Sequence, residues 1–282
     1  MKSALSNVSK AEVLTDPFPH VVIHDVLDED LYNQLAEEYP PHSIVTGEEV
    51  IPNNSRLLYD APETIPDERI SPLWREFSAR QVTQEFYQEV IDLFGDVIRE
   101  WFPVIEKTEG KRLEELKTYM LRGDSTGEVE LNCNISWNSP VTQVSSVRGG
   151  HVDNPLELFA GLLYFPVEGD TAGGNLMIQR PKKPNFPFIG KAEVENRFLE
   201  EVRTVPYQRN TLVFFINSQL TLHAVTPRSI TNVERRFFNI VGRLKYPLFD
   251  LPRGGLLYRG QRKIARLLSS DDRDYSGNKR VD

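Results

Sequence analysis

From about residue 113 to residue 246 the chain switches from helical to strand chemistry, and this switch restricts its fold more than any other feature. Apolar, β-branched and aromatic residues gather in Leu116 to Leu121, Val129 to Trp137, Leu158 to Phe165, Asn175 to Gln179, Thr211 to Ile216 and Phe237 to Leu244. Turn-formers separate the runs, among them Arg122-Gly123-Asp124, Asn138-Ser139-Pro140, Gly169-Asp170 and Gly173-Gly174. Many short strands in succession imply a sandwich or barrel.

The preceding stretch, 1–112, reads differently. A short apolar run, Val21-Val22-Ile23, comes first, and a helical pattern from Asp28 stops at Pro40-Pro41. Residues 42–70 read as irregular connection. One long helix is then expected, opened by Ser71 as N-cap with Pro72 in its first turn and carrying the stripe Phe86, Val90, Phe94, Val97 and Trp101. That stripe needs a sheet to lie on. The expected architecture is α+β, mainly β: a double-stranded β-helix (jelly roll) over 113–246, N-terminal helices from 1–112 packed on the sheet, and a C-terminal extension, 247–282, with a polar tail. All three belong to one structural domain in this reading.

Composition removes several functions. The 282 residues carry 33 Lys and Arg against 41 Asp and Glu, a net charge of −8, which argues against nucleic acid as the main partner. Cys133 is the only cysteine, so no intrachain disulfide and no thiolate metal cluster can form, and any metal must take nitrogen and oxygen ligands. The N-terminus lacks an apolar signal core and no segment has the length of a membrane span, so no membrane partner and a cytoplasmic location are expected.

Among such ligands, His151-Val152-Asp153 stands out. In an extended strand residues two apart point the same way, so imidazole and carboxylate can converge on one ion. Gly149-Gly150 before it and Asn154-Pro155 after it place the motif at a strand end. His223, just beyond the run Leu212 to Ile216, is the only other histidine of the strand region and sits at a comparable position. Two histidines and one carboxylate leave coordination positions open, the arrangement of non-haem iron oxygenases. His20 and His24, four residues apart, offer a competing pair, but Val-Val-Ile between them favours strand, and His42 sits in a Pro-rich loop.

The order of five elements carries a family resemblance: His151-Val152-Asp153-Asn154-Pro155, Leu162-Leu163-Tyr164-Phe165, Gly173-Gly174-Asn175-Leu176, His223-Ala224-Val225-Thr226-Pro227 and Glu234-Arg235-Arg236. Over about 116–246 the chain resembles the Fe(II)- and 2-oxoglutarate-dependent dioxygenases, most closely their prolyl 4-hydroxylase-like branch. The resemblance implies that His151, Asp153 and His223 bind Fe(2+) and are the catalytic centre. It implies that an arginine, Arg235 ahead of Arg236, and Tyr164 bind the distal carboxylate of the cosubstrate 2-oxoglutarate. Both arginines lie slightly farther past His223 than the family's arginine does, which a longer loop would explain. Arg228 is too near His223 for the role and is placed in a turn. With O2 as the other cosubstrate, and ascorbate as a cofactor candidate, the implied reaction hydroxylates an unactivated C–H bond and yields succinate and CO2. Because Asp153 keeps the carboxylate, halogenation is not expected.

Asn132, Asn134 and Ser136 alternate on one strand face as candidates to reach cosubstrate or substrate, and Arg148 and Asn154 are candidates for substrate contact. Whether the substrate is peptidyl or a small molecule, such as an amino acid or natural product, stays open. So does a non-catalytic or cupin-like metal-binding jelly roll. The acidic helical first stretch is a candidate homodimer interface or substrate lid.

Overall fold

The computed structural model describes residues 1–47, 49, 51–146, 148–189 and 192–251. Ten strands run in the order β1 (His20–Ile23), β2 (Arg56–Asp60), β3 (Thr118–Met120), β4 (Val129–Asn138), β5 (Glu157–Tyr164), β6 (Leu176–Pro181), β7 (Leu199–Val205), β8 (Leu212–Ile216), β9 (His223–Val225) and β10 (Arg235–Leu244). Seven of them form a larger sheet in the order β1-β8-β5-β10-β4-β2, with β3 beside β4, and three form a smaller sheet, β7-β6-β9. Helices and sheets together make the α+β jelly roll expected from the strand runs.

Strand alternation divides the larger sheet into two faces. One face meets the smaller sheet through Tyr164, Phe215 and Phe237 on one side and Leu176, Ile178 and Val205 on the other, all buried in a common cluster. The opposite face, including Leu131, Cys133, Ile135, Leu163 and Phe238, packs under the helices. No helix among the described residues is long and apolar enough to cross a membrane.

The α-helices among the described residues are α1 (Glu29–Glu37), α2 (Ser43–Thr46), α3 (Ala61–Thr64), α4 (Pro72–Arg80), α5 (Gln84–Trp101) and α6 (Val104–Glu109). Ser71 caps α4 by accepting from the Trp74 N–H, with Pro72 at the first position. The single long helix read from Ser71 to Trp101 is in fact two. Thr83 turns extended and accepts from the Phe86 N–H, so α5 starts with a cap of its own. At the break, the buried Gln81 side chain accepts from the Ala4 N–H and donates to the Phe77 carbonyl, which ties the N-terminal segment into the helix junction. Phe86, Val90 and Phe94 are fully buried, whereas Ile98 rather than Val97 continues the stripe and Trp101 is half-buried.

Residues 42–70 are not irregular throughout: they supply α2, β2 and α3. β2 escapes periodicity because it lies at the sheet edge against β4, where a half-buried RLLYD shows little alternation. β7 is missed for a related reason, since Glu200, Glu201 and Arg203 leave its pattern mostly polar. The stretch read as helical support thus gives two strands, β1 and β2, to the larger sheet. The polar tail expected at the C-terminus lies, from residue 252, outside the described residues.

Gly242 of β10 pairs with Phe159 of β5, and a Cβ at Gly242 would lie 2.2 Å from the Phe159 ring. Gly242→Ala is therefore expected to destabilise the protein by about 1–3 kcal/mol through overpacking. A lower urea midpoint at unchanged slope is the result that checks it.

Candidate metal centre

His151 and His223 face each other across the two sheets' junction. The N–H of His151 donates to the His223 carbonyl at 3.0 Å and the N–H of His223 donates back at 2.9 Å, making an isolated antiparallel pair. Directly paired residues project to the same side, so both rings emerge together, with centroids 4.2 Å apart. Asp153 follows two residues after His151. Its carboxylate oxygens lie 3.7 Å from Nε2 of His151 and 3.7 Å from Nε2 of His223.

Each imidazole is oriented by its other nitrogen. Nδ1 of His151 donates to the Gly149 carbonyl at 2.7 Å, and Nδ1 of His223 donates to the Thr221 carbonyl at 3.0 Å. These bonds put the proton on Nδ1 and leave the Nε2 lone pairs directed at the shared space. Among the described residues this is the one group of three histidine, cysteine, aspartate or glutamate side chains placed to hold a metal ion.

The electrostatics agree with a ligand set. Burial, then His223 and Arg148, push His151 down to about 3, and burial lowers His223 as well, so both rings are neutral near pH 7. Burial alone would raise Asp153, but the two histidines and Arg148 outweigh it and hold the carboxylate below its usual range. Neutral imidazoles and an ionised carboxylate are the forms that bind a divalent cation. The arrangement also fixes a pH dependence. A histidine whose folded value is depressed stabilises the fold above its unfolded value and loses that contribution as pH falls below it. His20, also lowered by burial, acts in the same sense. Glu157, raised to about 7 by burial and by Asp153, acts oppositely, since its protonated form is favoured in the fold. With three histidines against one glutamate, the metal-free protein should have a lower urea midpoint at pH 5 than at pH 7, and His151→Gln should shrink the difference.

The remaining histidines are accounted for. Nδ1 of His20 bonds the Phe18 carbonyl, His24 bonds the Thr211 hydroxyl, and His42 contacts Glu234 at 2.7 Å.

Deeper between the sheets, β10 starts with Arg235 facing inward and Arg236 facing out. The Arg235 guanidinium is boxed by the rings of Tyr207 at 4.6 Å, Phe237 at 4.8 Å and Tyr164 at 5.1 Å. Its Nε donates to the Gly174 carbonyl at 3.1 Å. Gly174 has φ +83°, and a Cβ there would sit 3.0 Å from Cδ of Arg235, so the Gly173-Gly174 turn is what lets the backbone come this close. Nη2 of Arg235, the Tyr164 hydroxyl and Nδ2 of Asn138 are buried without a hydrogen bond of good geometry. Three unsatisfied donors on neighbouring residues mark a place for an anion, because each would otherwise cost desolvation energy unreturned. Arg236 instead pairs with Glu234 at 2.7 Å and covers the Tyr39 ring.

Other expected contacts are placed differently. Asn132 and Asn134 donate to Asp60 at 2.9 and 3.2 Å, and Ser136 donates to the Asn134 side chain, so this ladder is internally satisfied and Asn138, one step along, is the member left open. Asn154 is exposed, and its side chain accepts from the Leu156 N–H in a turn. Arg148 lies 3.3 Å from Asp153. Arg228 is in the turn after β9, yet fully buried, paired with Asp170 at 2.9 Å. Arg56, Asn138 and Tyr207 escaped the sequence reading. Arg56 and Tyr207 lie in stretches without clear alternation, and only the continued period of Asn132-Asn134-Ser136 pointed to Asn138.

No family model matches the chain, and no curated protein matches it in sequence. Solved structures do. A prolyl 4-hydroxylase from Phytophthora capsici superposes with a TM-score of 0.50 at 18% identity over 86% of this chain, which spans 64% of that chain's length. A prolyl 4-hydroxylase from Pseudomonas putida gives 0.46 at 13% identity, covering 84% of this chain and 98% of that one. The epimerase SnoN, solved with Fe3+, alpha ketoglutarate and nogalamycin RO, gives 0.49 at 15% identity, covering 89% and 91%. The double-stranded β-helix expected from the strand runs is thus the fold this chain shares with the Phytophthora prolyl 4-hydroxylase.

Proposed function

We propose that the protein is an Fe(II)- and 2-oxoglutarate-dependent dioxygenase that hydroxylates an unactivated C–H bond. The observation that carries the reading is that two chemically matched sites line one interior. A two-histidine, one-carboxylate set stands beside the Phe215 ring, 5.0 Å from His223, and Phe215 belongs to the same cluster as Tyr164 and Phe237, which flank the unsatisfied Arg235 donors.

His151, Asp153 and His223 would hold Fe(II). Arg235 and Tyr164 would hold the distal carboxylate of 2-oxoglutarate. A guanidinium stays charged when buried and offers a planar fork of donors, which suits a carboxylate. When bound, iron and 2-oxoglutarate supply O2 activation and the oxidative decarboxylation that releases succinate and CO2. The chain's own work is positional. The Gly149 and Thr221 carbonyls fix the imidazoles, the aromatic box fixes Arg235, and the apolar wall of Phe215, Val213 and Leu176 limits water around the reacting centre.

Succinate release from 2-oxoglutarate by the full chain with added Fe(II) tests the reading. Turnover that needs Fe(II), and is lost in the His223→Ala protein, is expected. Absence of turnover with a panel of peptidyl and small-molecule substrates, and absence of 2-oxoglutarate binding, would overturn it in favour of a metal-binding jelly roll without this chemistry.

A further inference from the structure

Arg56 is a half-buried cation with an enclosed Nε that the proposed metal and cosubstrate sites do not use. It opens β2, opposite Asn138 of β4, which is itself opposite Arg235 of β10. Directly paired residues share a face, so Arg56, Asn138 and Arg235 form one row on the interior side of the sheet. The Arg56 guanidinium lies 5.3 Å from the centre of the Phe237 ring, and Arg235 lies 4.8 Å from the centre of the same ring. Two guanidinium groups therefore share one aromatic neighbour.

Their partners differ. Arg235 has the Gly174 carbonyl and the vacant donors assigned above to 2-oxoglutarate. Nε of Arg56 is buried with no hydrogen-bond partner, and among the described residues no carboxylate lies within ion-pairing distance of it. The carboxylates that act on Arg56 from farther away are Asp153 and Glu157, while Arg148 and Arg235 repel it. Both carboxylates are committed. Asp153 belongs to the metal set, and Glu157 is held by Arg243 at 2.9 Å. Among the described residues the one carboxylate that Arg148 pairs with is Asp153, at 3.3 Å.

Charge counting then points outward. Fe(II), Asp153, the 2-oxoglutarate dianion and Arg235 sum to neutrality, while Arg243 is shared by Glu157 at 2.9 Å and Glu130 at 3.5 Å, a group with one negative charge in excess. Arg56 and Arg148 remain as cations, the latter 3.3 Å from Asp153, so that one positive charge is left over. A guanidinium whose Nε is enclosed without a partner or counter-charge is costly, so the site as a whole favours an anionic guest.

Resting on the reading under Proposed function, we propose that the substrate is a small molecule bearing a free carboxylate, held by Arg56 with Arg148 as the second cation. An internal residue of a peptide chain offers no backbone carboxylate to this pair, so a free amino acid or another small carboxylic acid fits better than a peptidyl residue.

The test compares the wild-type chain with Arg56→Gln and Arg56→Lys. The probes are the free L-amino acids and a set of small aliphatic and aromatic carboxylic acids, each beside its carboxamide. Two readouts are taken: substrate-stimulated succinate release with Fe(II), and calorimetric binding of 2-oxoglutarate and of the responding acid to Mn(II)-loaded protein. At least one acid should stimulate release, with its carboxamide at least tenfold weaker. Arg56→Gln should weaken binding of that acid at least tenfold while 2-oxoglutarate affinity changes less than about threefold, and Arg56→Lys should restore part of the loss. Equal response to acid and carboxamide, response to proline-containing peptides alone, or no response to any acid overturns the proposal. A tenfold loss of 2-oxoglutarate affinity in Arg56→Gln also overturns it, since Arg56 would then serve the cosubstrate. Wild-type protein that fails to bind 2-oxoglutarate removes the underlying reading itself, a result separable from all of these. Urea midpoints of the variants establish that they fold.

Discussion

Asp153→Ala is expected to lose at least about 100-fold in Fe(II) affinity and to release no succinate above background, because even outer partners of metal ligands are worth 10- to 100-fold in affinity. The carboxylate is the only anionic group of the proposed ligand set, standing 3.7 Å from both Nε2 atoms. Removing it leaves two neutral imidazoles and takes away the one negative charge that helps offset the desolvation of a divalent cation. The fold should survive, since the histidine pair is held by backbone bonds and by the carbonyls of Gly149 and Thr221 rather than by Asp153. Iron retained after dialysis, succinate release and the urea midpoint decide the matter together. A folded Asp153→Ala protein with undiminished turnover would place the metal elsewhere.

Arg235→Gln carries the second large effect. Truncating one partner of a buried charged hydrogen-bonded pair costs about 2–5 kcal/mol, so the Kd for 2-oxoglutarate should rise roughly 30- to several thousand-fold. Arg236→Gln should change it by less than about threefold, because this neighbour points to the other face and is already engaged by Glu234 and Tyr39. Tyr164→Phe should fall between, near tenfold, for the loss of one hydrogen bond to a charged group. Calorimetry on Mn(II)-loaded protein measures all three. Arg236 mattering as much as Arg235 would contradict the assignment.

The contrast between adjacent arginines shows what a one-dimensional pattern contains. Strand alternation says that only one of Arg235 and Arg236 can face inward, but not which, since both have apolar neighbours at two residues' distance. Register decides. Phe237 sits opposite Tyr164 and Ser136 on the interior face, and Arg235 shares its parity. The loop between His223 and Arg235 is filled by Arg228, whose buried pairing with Asp170 packs the turn against Gly173 and Ser145.

Helix limits follow the same logic. Ser71 and Pro72 announce α4 by chemistry local to its first turn. The break before α5 depends on Gln81, whose side chain is fixed by Ala4, a residue 77 positions away in sequence. A partner so distant leaves no local trace. β2 is similar: its residues are ordinary, and they become a strand because the edge of β4 is free to receive them.

By itself the sequence determined the strand-rich core, the lack of cysteines for a thiolate cluster and the candidate grouping of His151, Asp153 and His223, because spacing, composition and turn residues act over a few positions. Tertiary structure alone decided that His151 and His223 pair backbone to backbone, that Arg235 is the inward arginine, and that Arg56 from a distant edge strand joins the same interior. Each of these depends on which strands become neighbours, and strand pairing is chosen by the burial of whole faces rather than by any local run of residues.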